Sequence, residues 1–346
     1  MDSVPNDCFS SAHHLNRIGT HRAGQLSAIR CFSAHYFLET FCMKKTSVVL
    51  AAFASLGASG VAQAQSSVAL YGVVDISLAK VTGKSVELAG GSPLTNGSSR
   101  WGVRGSEDLG GGLKASFNLE AQLDATDGTG SAGFVRASNI SLSGGFGAVK
   151  LGRTLTPSYW GVRAWELTSA ANYNVVSSQF QYAGLNARNS NEISYTSPNL
   201  GGFTVTIGHI LKADNAGVSK MDLNVVYKNG PLSGGLSYNK LSNKGSNQVI
   251  GVAYSFGTAK LAASYHDVTE AGRGKGFTLG GSMNAGPVLL IADVARDTDN
   301  KDTNLLLEGR YPLSKRTMIY AAHTRNGKGK TATDVNASMV GLRHNF

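Results

Sequence analysis

The residues of this chain that could catalyse a reaction are few and widely spaced. Downstream of residue 65 the four histidines fall in separate segments, at His209, His266, His323 and His344. Acid–base or nucleophilic catalysis needs a histidine within hydrogen-bond reach of an acid or a nucleophile. Asp267 directly follows His266, but neighbouring residues of a strand point to opposite faces. No G-x-S-x-G motif lies at a strand–helix turn, so the sequence predicts neither an enzyme nor a cofactor.

The first 64 residues are set apart from the rest of the chain. All three cysteines lie in residues 1–42, and their spacing at positions 8, 31 and 42 matches no compact metal site. Residues 43–64 carry, in order, a lysine-rich start, a short apolar stretch and a small-x-small cleavage site, as a secretory signal peptide does. We therefore expect an upstream extension without a stable fold, a translation start at Met43, and an exported chain that begins at Gln65.

The composition of residues 65–346 narrows the class of protein. This part has 27 basic and 19 acidic residues, a net charge of +8, and no cysteine, so it contains no disulfide. The basic residues are dispersed without a Lys/Arg run, which argues against nucleic-acid binding. No stretch approaches 18 consecutive apolar residues, so the sequence excludes a membrane-spanning helix and leaves a soluble protein or a closed barrel.

The elements that must position the charged residues are clearest between Ser99 and Leu123. Apolar residues occupy every second position from Leu113 to Leu123, with polar residues between them. This alternation indicates a β-strand with one apolar and one polar face, long enough to cross a bilayer. The preceding residues alternate likewise, and the glycine-rich stretch from Glu107 to Gly112 predicts a tight turn. A hairpin of a soluble β-sandwich would show the same pattern.

The remainder of the chain favours the barrel. The alternation recurs in sixteen predicted strands, of which strand four, Phe134–Ser143, is interrupted at Asn139 and Ile140. That interruption predicts a bulge or a face packed on protein. Short turns bearing Gly, Pro or Asn alternate with longer polar loops, as in an antiparallel outer-membrane barrel. One segment, residues 154–189, lacks sustained alternation but holds six aromatic residues, so we expect it to fold and to be functional.

Over residues 65–346 the chain resembles the trimeric general porins of Gram-negative outer membranes, of the β-proteobacterial kind. The resemblance is carried by SVALYGVVD at 67–75, SRWGVRGSEDLGGGLKA at 99–115, SGGFGAVKLGRT at 143–154, NEISYTSPNLGGF at 191–203 and the terminal GLRHNF. It implies an all-β, 16-stranded antiparallel transmembrane β-barrel whose third loop, residues 154–189, folds into the lumen. It also implies a homotrimer among outer-membrane lipid and lipopolysaccharide, and a terminal Phe346 that the barrel-assembly machinery reads.

A pore needs a constriction lined with charge. The alternation points Arg100, Arg104 and Lys114 into the lumen, and we expect Arg136 to face it too. The resemblance supports Arg100 and Arg136 as part of a basic wall and adds Arg188 near the constriction. The constriction loop is predicted to contribute Tyr159, Trp160, Arg163, Trp165 and Glu166. For each arginine, the alternative is a rim charge whose head group reaches water.

The charge of the predicted loop sets the expected selectivity. Residues 154–189 contain one acid, Glu166, against Arg163 and Arg188, whereas cation-preferring relatives carry several acids in loop three. We expect an outer-membrane channel for passive diffusion of small hydrophilic solutes and ions, with a mild preference for anions. The alternative is a substrate-specific channel on the same fold, in which the six loop aromatics stack against a sugar or an aromatic acid. An outer-membrane enzyme and a soluble periplasmic β-protein are the other classes considered.

Overall fold

The computed structural model describes residues 66–346 except 92, 184–186, 214–216, 243, 270–273 and 328–333. The predicted extension, the signal peptide and Gln65 lie outside the described residues. Within them the chain forms seventeen strands and two short helices. The strands are β1 (Ser67–Val81), β2 (Val86–Ala89), β3 (Arg100–Gly110), β4 (Leu113–Gln122), β5 (Ala137–Gly144), β6 (Gly147–Leu155), β7 (Arg188–Thr196), β8 (Phe203–Ile210), β9 (Lys220–Asn229), β10 (Leu232–Leu241), β11 (Ser246–Phe256), β12 (Ala259–Val268), β13 (Lys275–Ala285), β14 (Val288–Asp297), β15 (Asp302–Pro312), β16 (Thr317–Asn326) and β17 (Val335–Asn345). The helices are α1 (Pro157–Arg163) and α2 (Val175–Phe180). Among the described residues, neither helix has the length and apolar character needed to cross a bilayer.

The sheet is antiparallel throughout and closes on itself. The first half of β1 pairs with β3, and its second half pairs with β17, so the first and last strands seal the barrel. The short β2 pairs with Ser77–Lys80 of β1, in line with β3 along the same edge. Sixteen strands therefore form the barrel, as the sequence predicts, and β2 is an addition within the loop that follows β1. Closure pairs each of the sixteen barrel strands with a neighbour on both sides, as a sheet that stands in lipid requires.

The two faces of the barrel differ in polarity in the way that a lipid environment demands. On β11, for example, Ile250, Val252 and Tyr254 are exposed outward while Val249 and Ala253 are buried inward. The same strict alternation runs through most strands, with large apolar side chains on the outer face. An outward apolar belt around a polar interior is the arrangement of transmembrane β-barrels.

The connections confirm the predicted difference between the two rims. Seven hairpins, from β3–β4 to β15–β16, are closed by two to six residues at one rim. Most connections at the other rim are longer, and the longest joins β6 to β7. Short periplasmic turns and longer extracellular loops characterise outer-membrane barrels, so the short-turn rim is the periplasmic one.

Three local predictions differ from the structure. Strand β5 begins at Ala137 rather than Phe134, and it runs through Asn139 and Ile140 without a bulge, with Ile140 exposed and Asn139 half-buried. The irregularity lies one strand later, between Gly152 and Thr154 of β6, where Gly152 adopts a φ of +112° that favours glycine. Strand β3 continues to Gly110, which shortens the predicted six-residue turn.

The segment between β6 and β7 folds compactly inside the barrel. Helix α1 begins at Pro157 and is capped by Thr156, whose hydroxyl accepts a 3.0 Å hydrogen bond from Tyr159 N. Asn174 caps α2 in the same way, accepting from Ser177 N at 2.8 Å. Helix α1 packs on the inner faces of β9 and β10, and α2 on those of β14 and β15. The segment thus lies against the far wall of the barrel.

The apolar core of the molecule lies between this segment and the barrel wall. One cluster joins Tyr173, Val175 and Phe180 to residues of β12, β14, β15, β16, β17 and β1; a second joins Val162 and Trp165 to residues of β11, β12 and β14. Two glycines of the wall permit the close approach: a Cβ at Gly251 would lie 2.1 Å from the indole of Trp165, and one at Gly235 would lie 2.1 Å from Gly161 O. Each buried aromatic or branched side chain contributes roughly 1.5–3 kcal/mol.

Candidate functional site

A cluster of arginines lies on the inner wall where β3, β4 and the start of β5 meet. Arg100 and Glu120 belong to the inward face of the β3–β4 hairpin, with Arg100 Nε 3.3 Å from a Glu120 carboxylate oxygen. Arg136, one residue before β5, places its Nε 2.7 Å from the other oxygen and donates to Gln122 Oε1 at 2.7 Å. One carboxylate therefore contacts two guanidinium groups, and the three side chains together keep a net positive charge.

Two further arginines extend this cluster. Arg188, at the start of β7, donates from Nε to Arg136 O at 2.8 Å. Arg343 of β17 donates to Asn96 Oδ1 at 2.7 Å, and it reaches the cluster because the barrel closes between β17 and β1. Together with Arg163 of α1, these residues line a cavity of about 320 Å³ in the lumen. Among the described lining residues there are five arginines and one carboxylate, that of Glu120.

The loop side of this cavity is neutral or basic. Tyr159 and Arg163 of α1 line it, as do polar residues that follow the helix, such as Asn172 and Asn174. Glu166, the predicted acid of the constriction loop, lies behind the loop instead and is 4% exposed. Its carboxylate accepts from Thr168 N at 2.9 Å and Ala170 N at 2.7 Å, which stabilises a turn in which Ser169 and Ala170 have positive φ. The Glu166 carboxylate therefore binds backbone N–H groups of its own loop and does not line the 320 Å³ cavity.

The structure also corrects the prediction for the loop aromatics. Trp165, assigned from sequence to the constriction, is only 1% exposed and packs edge-on against His266 with the ring centroids 6.2 Å apart. Tyr173, Phe180 and Tyr182 are buried as well. A continuous aromatic surface for stacking solutes is therefore absent from the described part of the loop. Tyr159 is half-buried and Trp160 is exposed, and these two do reach the lumen.

Two predicted members of the basic wall lie away from the cluster. Arg104 faces inward two alternate positions beyond Arg100, closer to the periplasmic rim, with its guanidinium 4.9 Å from the centroid of the Tyr71 ring. Lys114 is exposed beside the β3–β4 turn. Neither lines the 320 Å³ cavity. The alternation correctly predicts that both side chains face inward, but it does not predict their position along the barrel axis.

A buried polar network anchors α1 to the opposite wall. The carboxylate of Asp222 on β9 accepts from Ser158 N at 2.8 Å and from Ser158 Oγ at 2.6 Å. Asn224 donates to Pro157 O at 2.6 Å, and Asn239 of β10 donates to Tyr182 O at 2.8 Å. The bond to Asp222 satisfies Ser158 N, one of the first N–H groups of α1, which the helix itself leaves unpaired.

A second anchor fixes the middle of the loop. The Tyr173 hydroxyl donates to Glu308 of β15, whose carboxylate also binds Arg310 Nε at 2.7 Å. Arg310 in turn donates to Thr168 O at 2.8 Å. Burial and the Glu308 charge raise the pKa of Tyr173, and burial raises the pKa of Tyr182, so both phenols stay protonated at physiological pH. The loop that carries Arg163 is thus held in place by neutral phenols and by the Glu308–Arg310 ion pair.

Sequence reasoning missed two residues of the cluster, Glu120 and Arg343. Glu120 occupies the polar face of the same hairpin as Arg100, so alternation does place it inward, but its partner depends on strand register. Arg343 shares an inward face with Met339 and Gly341 of β17, yet only barrel closure brings it to β1 and Asn96.

The terminal residue contributes to that closure. Phe346 exchanges backbone hydrogen bonds of 3.1 and 3.0 Å with Gly72 of β1. Its ring covers Gly72, where a Cβ would lie 2.2 Å from the ring, and it remains 46% exposed on the outer face.

Comparison with known proteins agrees with this geometry. The Gram-negative porin family matches residues 46–331. Outer membrane porin protein 32 of Delftia acidovorans is 36% identical, over 88% of this chain and all of the relative. The major outer membrane protein P.IB of Neisseria lactamica is 29% identical with the same coverage. Among solved structures, an anion-selective porin from Comamonas acidovorans is 30% identical and aligns with a TM-score of 0.67 over 82% of this chain and all of that one. A Vibrio cholerae outer membrane protein, OmpT lacking loop L8, shares the fold at 18% identity over 81% of this chain and 99% of that one, with a TM-score of 0.64.

Proposed function

Because the chain belongs to the Gram-negative porin family, it is an outer-membrane porin, and we propose that its pore mildly prefers anions. The pore is a water-filled path through which small hydrophilic solutes and ions diffuse. The constriction that we propose lies between the inner wall of β3–β7 and helix α1. Its basic wall consists of Arg100, Arg136, Arg188 and Arg343, and its loop side contributes Arg163 and Tyr159.

One observation carries the proposed preference. Five arginines and a single carboxylate line the same 320 Å³ cavity among its described residues, so the local fixed charge is strongly positive. Fixed charge in a channel with low-dielectric walls focuses the field and enriches the counter-ion. Salt screens such charge over roughly 8–10 Å at physiological ionic strength, which keeps the preference moderate. The Comamonas relative, itself described as anion-selective, supports the same direction.

The assembly and export of the chain are further parts of the proposal. We infer a homotrimer surrounded by outer-membrane lipid and lipopolysaccharide, in line with the resemblance to trimeric porins, with Phe346 read by the barrel-assembly machinery. We also infer that the exported chain begins at Gln65. N-terminal sequencing of protein from outer membranes should return Gln-Ser-Ser-Val; a sequence that starts before residue 43 would contradict this assignment.

The proposed constriction is tested by charge reversal in planar bilayers. We expect the double variant Arg100→Glu, Arg136→Glu to form open channels whose reversal potential in a KCl gradient moves toward cation preference. Arg316→Glu, at the exposed β15–β16 turn, is the matched control and should leave the reversal potential near that of the wild type. An unchanged reversal potential in the double variant would place the selective charge elsewhere in the pore.

A further inference from the structure

Two smaller cavities adjoin the arginine cluster on its periplasmic side. They measure about 250 and 240 Å³, and both are lined by Lys150 and Thr154 of β6 and by Trp160 of α1. Arg136 and Arg188 line the larger of the two as well as the 320 Å³ cavity, so the larger one continues directly from the constriction. A solute that leaves the arginines toward the periplasm enters this region next.

Trp160 is the aromatic side chain that this region offers to a solute. It is 44% exposed, whereas four of the other loop aromatics are buried against the barrel wall. The indole is held in place by Arg163, whose guanidinium lies 5.3 Å from the ring centroid, and by an edge-on contact with Tyr159 at 5.6 Å. The exposed indole therefore offers a large, rigid apolar face on which a ring of a passing solute can stack.

The wall below Trp160 carries a row of three serines and one lysine in register. Ser116, Ser141, Lys150 and Ser194 occupy directly opposed inward positions on β4, β5, β6 and β7. Asn118 and Asn139 form the next row toward the constriction. Lys150 forms none of the ion pairs found among the described residues. The region thus combines one aromatic face, several hydroxyls and amides, and cations at its centre and upper end. Two carboxylates also line it: Glu120 is paired with Arg136, and Glu192 is 2% exposed and accepts a hydrogen bond from Asn189.

We propose that Trp160, Lys150 and the serine–asparagine rows form a subsite for polyhydroxylated anions, namely sugar acids and sugar phosphates. The proposal rests on the proposed function, since such solutes must first pass the arginine constriction. The C–H face of a sugar ring stacks on the indole, and its hydroxyls exchange hydrogen bonds with Ser116, Asn118, Asn139 and Ser141. Lys150, Arg136 or Arg188 binds the carboxylate or phosphate group.

Two simpler classes of solute fit the region less well. An inorganic anion would use the cations and leave the indole uncovered. An aromatic acid would use the indole and a cation but would leave the serine and asparagine groups without partners, which costs binding energy where water is displaced. A polyhydroxylated anion is the class that uses all three kinds of group.

The test measures how organic solutes reduce the chloride current of wild-type channels in bilayers at fixed KCl. We expect potassium glucuronate to reduce the current in a saturable way, and equal concentrations of potassium acetate or glucose to do so only weakly. Trp160→Leu should raise the half-saturating glucuronate concentration about fivefold, and Lys150→Gln should raise it by a similar factor. Lys228→Gln removes an inward, exposed lysine of β9 that lines neither cavity, and it should leave the half-saturating concentration unchanged.

The outcomes separate the subsite from the proposed function. Heat-modifiable gel mobility establishes that each variant folds before it is measured. Equal block by glucuronate and acetate, or a block that Trp160→Leu leaves intact, would overturn the subsite even if the wild-type channel prefers anions. A wild-type reversal potential of cation sign in the same membranes would overturn the anion preference itself, whatever the block by glucuronate.

Discussion

At the scale of residues, we expect the selectivity of this pore to depend on how few acids face its arginines. Glu120 is the acid that contacts both Arg100 and Arg136, at 3.3 and 2.7 Å. Glu166, the acid that the sequence offered as a counter-charge, is bound to the backbone of its own loop. The field across the cavity therefore depends on one carboxylate, and its removal is the smallest change that should alter selectivity.

Glu120→Gln should make the channel more anion-selective. Glutamine keeps the shape and one acceptor oxygen, but it leaves the two guanidinium charges uncompensated and raises the fixed charge of the cavity by one. We expect the ratio of chloride to potassium permeability to rise roughly twofold in dilute KCl, with a smaller rise at high salt. Glu107→Gln, an exposed change near the β3–β4 turn, is the control. A fall in the permeability ratio for Glu120→Gln would contradict this role.

Some of these residues could be predicted from the pattern of a single strand, and others depend on strand register or barrel closure. Alternation along one strand suffices to turn Arg100 inward, because side chains of a strand point to alternate faces. It does not give the register that joins Glu120 to Arg136, nor the closure that brings Arg343 to Asn96. Trp165 and Glu166 were misplaced because their direction follows from how the loop packs on β11–β15, which no local pattern specifies.

At the scale of elements, the loop between β6 and β7 depends on the wall behind it. The indole of Trp165 lies over Gly251 of β11, and a Cβ there would approach it to 2.1 Å. Helix α1 is seven residues long and α2 six, and isolated helices of this length are not stable in water. Packing on the wall and the bonds from Asp222 and Asn239 therefore hold the loop in place.

Gly251→Val should loosen the loop without preventing barrel formation. Overpacking in a filled interior costs about 1–3 kcal/mol, and here the loop can yield more easily than the sheet. We expect a lower temperature for the heat-induced shift in gel mobility and a noisier single-channel current. Gly309→Val adds the same side chain on the outer face, where the nearest atom to a new Cβ is 3.7 Å away, and should change neither property. Equal effects of the two changes would mean that the indole does not depend on Gly251.

The outer face of the strands makes a separate prediction. Leu279 is the fifth of eleven residues of β13 and is 62% exposed on the apolar belt. An arginine near the bilayer midplane of a barrel costs about 2–4 kcal/mol, so Leu279→Arg should reduce the amount of folded protein in the outer membrane. Ser282→Arg places the same charge on the inward face of the same strand and should be tolerated better. Normal assembly of Leu279→Arg would show that this face does not meet lipid.

The elements themselves were largely predictable, and their irregularities were not. Sixteen strands, their order and the two unlike rims follow from period-two alternation and turn chemistry. The predicted start of β5 was wrong, and the bulge that was one of the two predicted reasons for its interruption lies elsewhere: between β6 and β7, Arg153 of β6 faces two residues of β7, Ser190 and Asn191, next to Gly152 with its φ of +112°. The strand β2 escaped notice because a four-residue strand within a polar loop has too few residues to establish a period.

At the scale of the whole molecule, a basic chain surrounds a basic cavity. The net charge of +8 over residues 65–346 and the five arginines of the central cavity have the same sign. Anions entering from either rim should therefore meet favourable potential, and cations should be disfavoured at the narrowest part. Because mobile salt screens this potential, its influence must grow as the solution is diluted.

The most direct test is the reversal potential of the wild-type channel across a KCl gradient, measured at successively lower salt. The sign of the membrane potential at which the current is zero, relative to the direction of the KCl gradient, reports whether chloride or potassium crosses more readily. We expect a sign that corresponds to anion preference at every dilution, with a magnitude that grows as the mean KCl concentration falls. A reversal potential of cation sign in dilute KCl would contradict the account, because the arginine cluster would then not govern permeation.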